Sequence, residues 1–134
     1  MKGTKDKKEG EWRFSPLSHL VIGCAIEVHR RLGPGLLEST YRRCLTQELG
    51  LKMVPFEVEA PIAIDYKGLR IECAYRIDVF VNRQIVVEVK SVEALKWVHE
   101  AQVLTHMRLS RTPTGLLINF NSRRLMDGLR SYVL

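Results

Sequence analysis

The chain has 134 residues, of which 46% are hydrophobic and 27% charged, with 21 Lys and Arg against 15 Asp and Glu. This length matches one domain of about 100–200 residues, and the composition excludes a disordered or fibrous chain. No apolar run reaches the roughly 18 residues of a membrane span, and no apolar leader predicts a secretory signal. The net charge of +6 is compatible with a polyanionic partner.

The chain is expected to consist of a short tail and one domain. Residues 1–14 are polar and of mixed charge, which predicts a mobile N-terminal tail and leaves 15–134 as a single domain. Cys24, Cys44 and Cys73 form no CxxC pair. They are therefore interpreted as reduced thiols of a cytoplasmic protein.

Two helices are predicted at the start of this domain. Ser15 is a suitable N-cap and Pro16 a suitable first residue for a helix that ends at Gly33-Pro34-Gly35. A second helix is expected from about Leu36 to Leu49 and is closed by Gly50. The glycine-proline-glycine segment has no P-loop lysine after it, so it is interpreted as a helix break.

The apolar period then changes from that of a helix to that of strands. Three strands joined by short turns predict an antiparallel meander, and the helix after them predicts a fourth strand parallel to the third. The expected order is α-α-β-β-β-α-β-α. The predicted ranges are strands at Val54–Tyr66, Leu69–Val81, Gln84–Val89 and Gly115–Phe120, and helices at Val92–Leu109 and from Asn121 or Ser122 to Tyr132.

Two carboxylates interrupt the apolar strands. Asp78 lies in the second strand and Glu88 in the third, where Lys90 follows two residues later on the same face. Buried carboxylates are costly unless they are paired or bound to metal, and their hard oxygens suit Mg²⁺ or Mn²⁺. A plain ion-pair ladder between Asp78 and Arg76 or Lys90 is the alternative. Strict alternation in the second strand predicts one face with Arg76, Asp78 and Phe80, and the other with Tyr75, Ile77, Val79 and Val81.

Two further polar residues have open interpretations. Glu38 lies in the first turn of the second helix, where it could join the acidic site or complement the helix dipole and pair with Arg42. Gln102 interrupts an apolar helical stripe, which indicates either a site residue or a buried amide with a hydrogen-bond partner. Tyr41, on the apolar face of the second helix, is interpreted as a core residue.

Basic, aromatic and histidine residues give weaker signals. Arg42, Arg43 and Arg76 could contact nucleic-acid phosphates, with a solvated basic face as the alternative. Aromatic residues make up 7% of the chain and are scattered, which argues against a base-stacking platform. The four histidines lack the spacing of metal ligands and are interpreted as core or surface residues.

The segments Gly35-Leu-Leu-Glu38-Ser-Thr-Tyr41, Asp78 and Glu88-Val-Lys90 together resemble the GxxExxY proteins. These proteins are a branch of the PD-(D/E)xK nuclease superfamily, which is restriction-endonuclease-like. The resemblance covers about residues 17–134 and includes His99-Glu-Ala-Gln102 and Gly115-Leu-Leu-Ile-Asn-Phe-Asn121. Ile77 stands where the superfamily's name has proline.

The resemblance implies an α/β core with a mixed four-stranded sheet flanked by helices. It implies Mg²⁺ or Mn²⁺ held by Glu38, Asp78, Glu88 and the Val89 carbonyl, with Lys90 as the catalytic lysine and Gln102 facing the same site.

The resemblance implies metal-dependent hydrolysis of phosphodiester bonds in nucleic acid. DNA is the expected substrate, and RNA is the alternative. A second copy or a partner protein is expected to supply specificity, and no membrane is involved. A non-catalytic module that binds nucleic acid or protein on the same fold is the alternative.

Overall fold

The computed structural model describes residues 14–134, apart from the side chain of Cys73. The predicted tail therefore lies outside the described residues except for Phe14, which is partly buried against the core. Among the described side chains, Cys24 is a buried free thiol and Cys44 a partly buried one.

The two N-terminal helices form where the sequence predicts them. Helix α1 spans Pro16–Leu32 and is capped by Ser15, whose hydroxyl accepts a hydrogen bond from the Ser18 N–H at 3.1 Å. Helix α2 spans Glu38–Leu51 and therefore starts and ends two residues later than predicted. Gly50 lies within α2 because helical φ and ψ angles are open to glycine at a modest cost.

Five strands and one more helix follow, and they make a single mixed sheet in the order β1-β2-β3-β4-β5. Strands β1 to β3 form the predicted antiparallel meander, and β4 runs parallel to β3, as the helical crossover predicts. The elements are β1 at Phe56–Tyr66, β2 at Leu69–Val81, β3 at Ile85–Lys90, α3 at Trp97–Ser110, β4 at Thr114–Asn119 and β5 at Leu129–Val133.

The predicted C-terminal helix is wrong, and the sheet has five strands rather than four. A short 3-10 helix at Leu125–Gly128 leads into β5, which pairs antiparallel with β4. The segment has apolar residues at helical spacing, but β4 would otherwise expose a row of unpaired backbone groups. Pairing those groups decides the conformation, and Gly128 allows the chain to pass close to the Asn119 carbonyl.

Helix α3 begins at Trp97, five residues later than predicted. The preceding segment is held in an irregular conformation by asparagine side chains at the end of β4 and just after it. Asn119 bonds both the N–H and the carbonyl of Val92, at 3.0 Å each, and Asn121 donates to the same carbonyl at 3.2 Å. These bonds satisfy Val92 outside a helix and determine where the chain after β3 turns.

Two apolar cores lie on opposite faces of the sheet. Helices α1 and α2 cover one face, to which β3 contributes Ile85, Val87 and Val89. Helix α3 covers the other face, where Val103 and Met107 pack against Val86 of β3. The alternation along β3 is regular, as expected for a strand buried on both sides.

Strand β2 does not alternate regularly, so the predicted division of its residues between two faces is wrong at Ile77. Val79 belongs to the core under α1 and α2, whereas Ile77, two residues earlier, belongs to the core under α3. The change of face occurs at Asp78. Opposite Asp78 in β1, Glu59 has a φ of 52°, which is the left-handed region. The hairpin of β1 and β2 is therefore distorted where the acidic residue lies.

Candidate active site

Asp78 lies where β2 and β3 separate. The ladder between these strands pairs Val81 with Ile85 and ends with Val79 opposite Val87. Beyond this pair the side chain of Asp78 replaces the backbone as hydrogen-bond acceptor, since its Oδ2 accepts a hydrogen bond from the Val89 N–H at 2.8 Å. The distortion of β2 therefore places a carboxylate against the backbone of β3, at the carboxyl end of that strand.

Glu88 is almost completely buried, with 4% of its surface exposed. It projects from β3 toward α3, where Nδ1 of His106 lies 2.6 Å from Glu88 Oε2. A buried carboxylate needs such a partner, because an unpaired charge in the interior is expensive. The contact between Glu88 and His106 therefore connects β3 to the helix that covers it.

Burial disfavours the ionised form of both carboxylates. Burial is the main cause that raises the pKa of Asp78, and Glu38 raises it further, while the Val89 N–H, Lys90 and Arg42 act in the opposite direction. Burial likewise raises the pKa of Glu88, which Asp78 raises further and His106 and Lys90 lower. A cation between the two groups would relieve both effects.

A cavity of about 500 Å³ opens beside these carboxylates, between β2, β3 and α3. Lys90 and Gln102, both predicted as site residues, line it together with Asp78 and Glu88. Gln102 is exposed, so the alternative of a buried amide is wrong. The remaining lining residues are Tyr75, Arg76, Trp97, Val98, Ala101, Thr105 and His106.

Glu38 approaches this site from α2 without lining the cavity. It is close enough to raise the pKa of Asp78. Arg42, its expected partner one turn later, instead lies 3.3 Å from Glu59 and 3.9 Å from Asp78. The alternative pairing of Glu38 with Arg42 is therefore absent among the ion pairs of the described residues.

The loop before Glu38 is held by Tyr41, which is buried in the core as predicted. Its hydroxyl donates to the Gly33 carbonyl at 2.5 Å and accepts from the Leu36 N–H at 3.1 Å. The Leu36 carbonyl in turn accepts from the Ser91 hydroxyl at 2.6 Å, just after Lys90. These bonds tie the start of α2 to the end of β3. Gly33 and Gly35 have φ angles of 69° and 102°, which favour glycine.

The three candidate phosphate-binding arginines do not lie together. Arg76 lines the cavity and is 3.9 Å from Glu59. Arg42 lies beside Asp78 at 3.9 Å. Arg43, by contrast, lines a separate cavity between α1 and α2. The ion pair of Asp78 with Arg76, proposed as an alternative to a metal site, does not form among the described residues. Arg42 is the arginine near Asp78, and Arg76 lies near Glu59.

His106 lies at the candidate site, although its spacing in the sequence indicated only a core or surface residue. It lines the cavity and contacts Glu88 directly. A signal for it exists in the spacing of α3, because Val98, Ala101, Gln102, Thr105 and His106 follow i, i+3, i+4, i+7, i+8. That stripe is the face of α3 that lines the cavity.

The carboxylates have the donor chemistry for a divalent cation. Among the side chains that the structure describes, no three His, Cys, Asp or Glu residues form a ready-made metal cluster. Asp78 and Glu88 each use one oxygen in a hydrogen bond, so that Oε1 of Glu88 and Oδ1 of Asp78, which lies 3.9 Å from Arg42, have the chemistry of cation donors. The Val89 carbonyl shares an edge of β3 with its N–H and faces β2. Hard oxygen donors of this kind fit Mg²⁺ or Mn²⁺.

The candidate site thus has acidic residues on two diverging strands and a lysine two residues after the second, on a mixed sheet between helices. The model of the PD-(D/E)XK nuclease superfamily matches residues 15–131, and the chain belongs to that superfamily. Comparison with curated proteins and with solved structures produced no match. None of the helices within residues 14–134 is both long and apolar enough to cross a membrane.

Proposed function

We propose that this protein is a divalent-metal-dependent nuclease of the GxxExxY branch that hydrolyses phosphodiester bonds of DNA or RNA. The observation that carries the proposal is the pair of buried carboxylates, Asp78 and Glu88, in one cavity with Lys90. Membership of the nuclease superfamily supports it independently. Ordinary structural ion pairs rarely require two carboxylates whose pKa values are both raised by burial.

The residues that would hold the cation are Asp78, Glu88 and the Val89 carbonyl, with Glu38 as a further ligand from α2. A bound divalent cation would lower the pKa of a water ligand and neutralise charge on the phosphodiester. His106 holds Glu88 in one orientation through its 2.6 Å contact. Hydrogen bonding of this kind to a metal-binding carboxylate restricts its geometry and tunes its basicity.

Lys90 acts on the reacting phosphate. Lys90 lines the cavity with both carboxylates and its charge lowers the pKa of each, so it can orient the attacking water and stabilise negative charge that develops on phosphate oxygens. Water attack forms one phosphorus–oxygen bond and breaks the bond to the leaving nucleotide oxygen. Gln102, exposed on the facing helix, is placed to hydrogen-bond the substrate or the water.

A binding module without catalytic activity is the second candidate. It is favoured by the partners that both carboxylates already have, namely the Val89 N–H and Arg42 for Asp78 and His106 for Glu88. In that case the polar groups stabilise a nucleic-acid or protein contact surface instead of a cation. A partner protein or second copy that adds specificity is compatible with either function.

Cleavage of end-labelled oligonucleotides separates the two candidates. Single- and double-stranded DNA and RNA are incubated with the full chain in Mg²⁺, Mn²⁺ or EDTA. We expect metal-dependent cleavage that falls by at least about 10²–10³ in Lys90→Ala, the usual loss when one group that stabilises transition-state charge is removed. Lys52→Ala, which changes a lysine on the distant face of α1 and α2, is expected to remain within twofold of wild type.

The contrary result is equally specific. If wild type binds the oligonucleotides yet cleaves none of them with either metal, the binding module becomes the better account. If Lys90→Ala cleaves as fast as Lys52→Ala, the proposed role of Lys90 is wrong.

A further inference from the structure

Two large aromatic rings stand at the mouth of the cavity. Trp97, the first residue of α3, has 78% of its surface exposed, and Tyr75 of β2 has 52% exposed. Both line the same cavity as Asp78, Glu88 and Lys90, although they come from different elements. Aromatic residues are few in this chain, so two exposed rings at one opening are a concentration that the sequence pattern does not predict. Exposed apolar groups concentrated at one place mark binding surfaces.

The residues that line the cavity differ in charge and in exposure between its mouth and its interior. Arg76 follows Tyr75 in β2, lines the cavity and is 55% exposed in its side chain. Lys90 is partly buried and Glu88 almost fully buried, so the cavity passes from an aromatic and basic mouth to an acidic interior. A ligand with a flat apolar part and a nearby negative charge complements this order. A nucleotide has that combination, with its base and its phosphate about one sugar apart.

We propose that the mouth of the cavity binds an unpaired nucleotide, whose base stacks on Trp97 or Tyr75 while Arg76 contacts its phosphate. The substrate of the proposed nuclease is then a single strand or an unpaired end. This inference rests on the proposed function and adds the substrate class to it.

The physical reason is access to the face of the base. In a duplex each base is covered above and below by its neighbours, whereas the bases of a single strand can present a face to a protein ring. Rings are therefore useful to a protein that binds unpaired bases and add little to contact with a duplex backbone. The cavity volume of about 500 Å³ lies within the range of small-ligand sites, about 300–1,000 Å³.

Equilibrium binding of fluorescein-labelled oligo(dT) and of a duplex of equal length tests the proposal in EDTA, where metal-dependent cleavage does not occur. Trp97→Leu and Tyr75→Leu remove a ring but keep an apolar side chain, and both sites are exposed enough that no core cavity opens. We expect each variant to bind oligo(dT) about 5- to 150-fold more weakly, as loss of one stacking contact implies. Duplex binding should change less than twofold.

Tyr66→Leu is the matched control, because Tyr66 is a tyrosine of the same hairpin that is 60% exposed and does not line the cavity. It should leave both affinities unchanged. Trp97→Phe, which keeps a ring, should recover most of the affinity that Trp97→Leu loses.

Tryptophan fluorescence supplies a readout that a merely structural role would not move. The chain has two tryptophans, so Trp12→Phe leaves Trp97 as the single emitter. Stacking should quench this emission when oligo(dT) is added, and the duplex should quench it much less.

The outcomes separate this inference from the function beneath it. If wild type cleaves only duplex, and both ring variants bind and cleave as wild type does, the nuclease proposal stands and the single-strand inference is overturned. If wild type binds neither probe and cleaves neither, both proposals fail together. If oligo(dT) binding falls in the ring variants but no substrate is cleaved, the single-strand site is supported on a binding module.

Discussion

The two faces of the sheet have different compositions although they share the same strands. On the face under α1 and α2, β3 contributes only apolar side chains, and the buried aromatic pair of Tyr41 and Phe120 stacks at 4.6 Å between ring centroids. On the face under α3, β3 contributes Val86, then Glu88, then Lys90, with exposure rising at Lys90. Along β3, one face is apolar throughout, and the other changes from apolar to charged toward the carboxyl end of the strand.

This difference shows how one small domain separates stability from chemistry. The core under α1 and α2 contains more of the buried hydrophobic residues than the core under α3, and their burial is the main favourable contribution to folding. The opposite face can then contain two carboxylates whose ionised forms are disfavoured by burial. Variants on the two faces should therefore affect stability and activity separately.

The largest expected effect on stability comes from the apolar face. Leu45→Ala removes a fully buried side chain of α2 and should lower the free energy of unfolding by about 2–5 kcal/mol. Cleavage per folded molecule should be unchanged, because Leu45 is remote from the cavity. Urea unfolding and a cleavage assay measure the two quantities. Leu51→Ala, in the same helix but 68% exposed, should be nearly neutral. A loss of cleavage without a loss of stability would contradict the separation.

The next largest effect is a loss of metal affinity on the polar face, and it is expected to be greatest when His106 is changed. His106→Ala leaves buried Glu88 without its partner and should weaken Mn²⁺ binding by about 10- to 100-fold, as loss of a residue that orients a metal ligand commonly does. Calorimetric titration measures it without any assay of activity. His106→Gln keeps a donor within reach and should recover part of the affinity. Wild-type affinity in His106→Ala would show that the contact does not position Glu88.

A smaller effect is expected where the two regions meet, at Tyr41. Tyr41→Phe keeps the stacked ring but removes the hydroxyl that bonds Gly33 and Leu36, which should cost about 1 kcal/mol of unfolding free energy. Cleavage should fall less than in Lys90→Ala, because only the loop before Glu38 is loosened. Tyr66→Phe, at an exposed tyrosine, serves as the control in the same urea titration. Equal stability of Tyr41→Phe and wild type would mean that the hydroxyl bonds do not restrain this loop.

The smallest effect is a dependence of stability on pH. Burial raises the pKa of Glu88 from its ordinary value of 4.5, so the folded state keeps a proton that the unfolded state releases. This contribution to stability is therefore complete below pH 4.5 and is lost as the pH rises through the folded-state pKa. Glu88→Gln stays neutral and should melt above wild type at pH 7, with the difference vanishing at low pH.

Thermal scans between pH 3.5 and 8 in EDTA measure this effect, with Glu93→Gln as the control at an exposed glutamate. Mg²⁺ or Mn²⁺ at ten times its dissociation constant should stabilise wild type by about 1.4 kcal/mol and leave Glu88→Gln less affected. A Glu88→Gln variant that melts below wild type at pH 7 would show that the charged Glu88 is stabilising.

Much of the fold follows from local pattern. Ser15, Pro16 and the glycine-proline-glycine break predict α1 and the start of α2, because capping and backbone preferences depend on a few adjacent residues. The strand alternation and the long crossover predict the meander and the parallel β3–β4 pair. The grouping of Asp78, Glu88 and Lys90 also follows from the sequence, since neighbouring strands bring these positions together.

Tertiary structure decided what depends on partners distant in sequence. The segment at 129–133 has helical spacing but becomes β5, because the open edge of β4 offers backbone hydrogen bonds that no local pattern encodes. Ile77 changes face because the hairpin is distorted at Glu59 and Asp78. His106 reaches Glu88, and Trp97 comes to share a cavity with Tyr75, only through the packing of α3 over β2 and β3. The sequence alone determined which carboxylates belong together, since strand pairing is short-range, whereas only the fold determined what surrounds them.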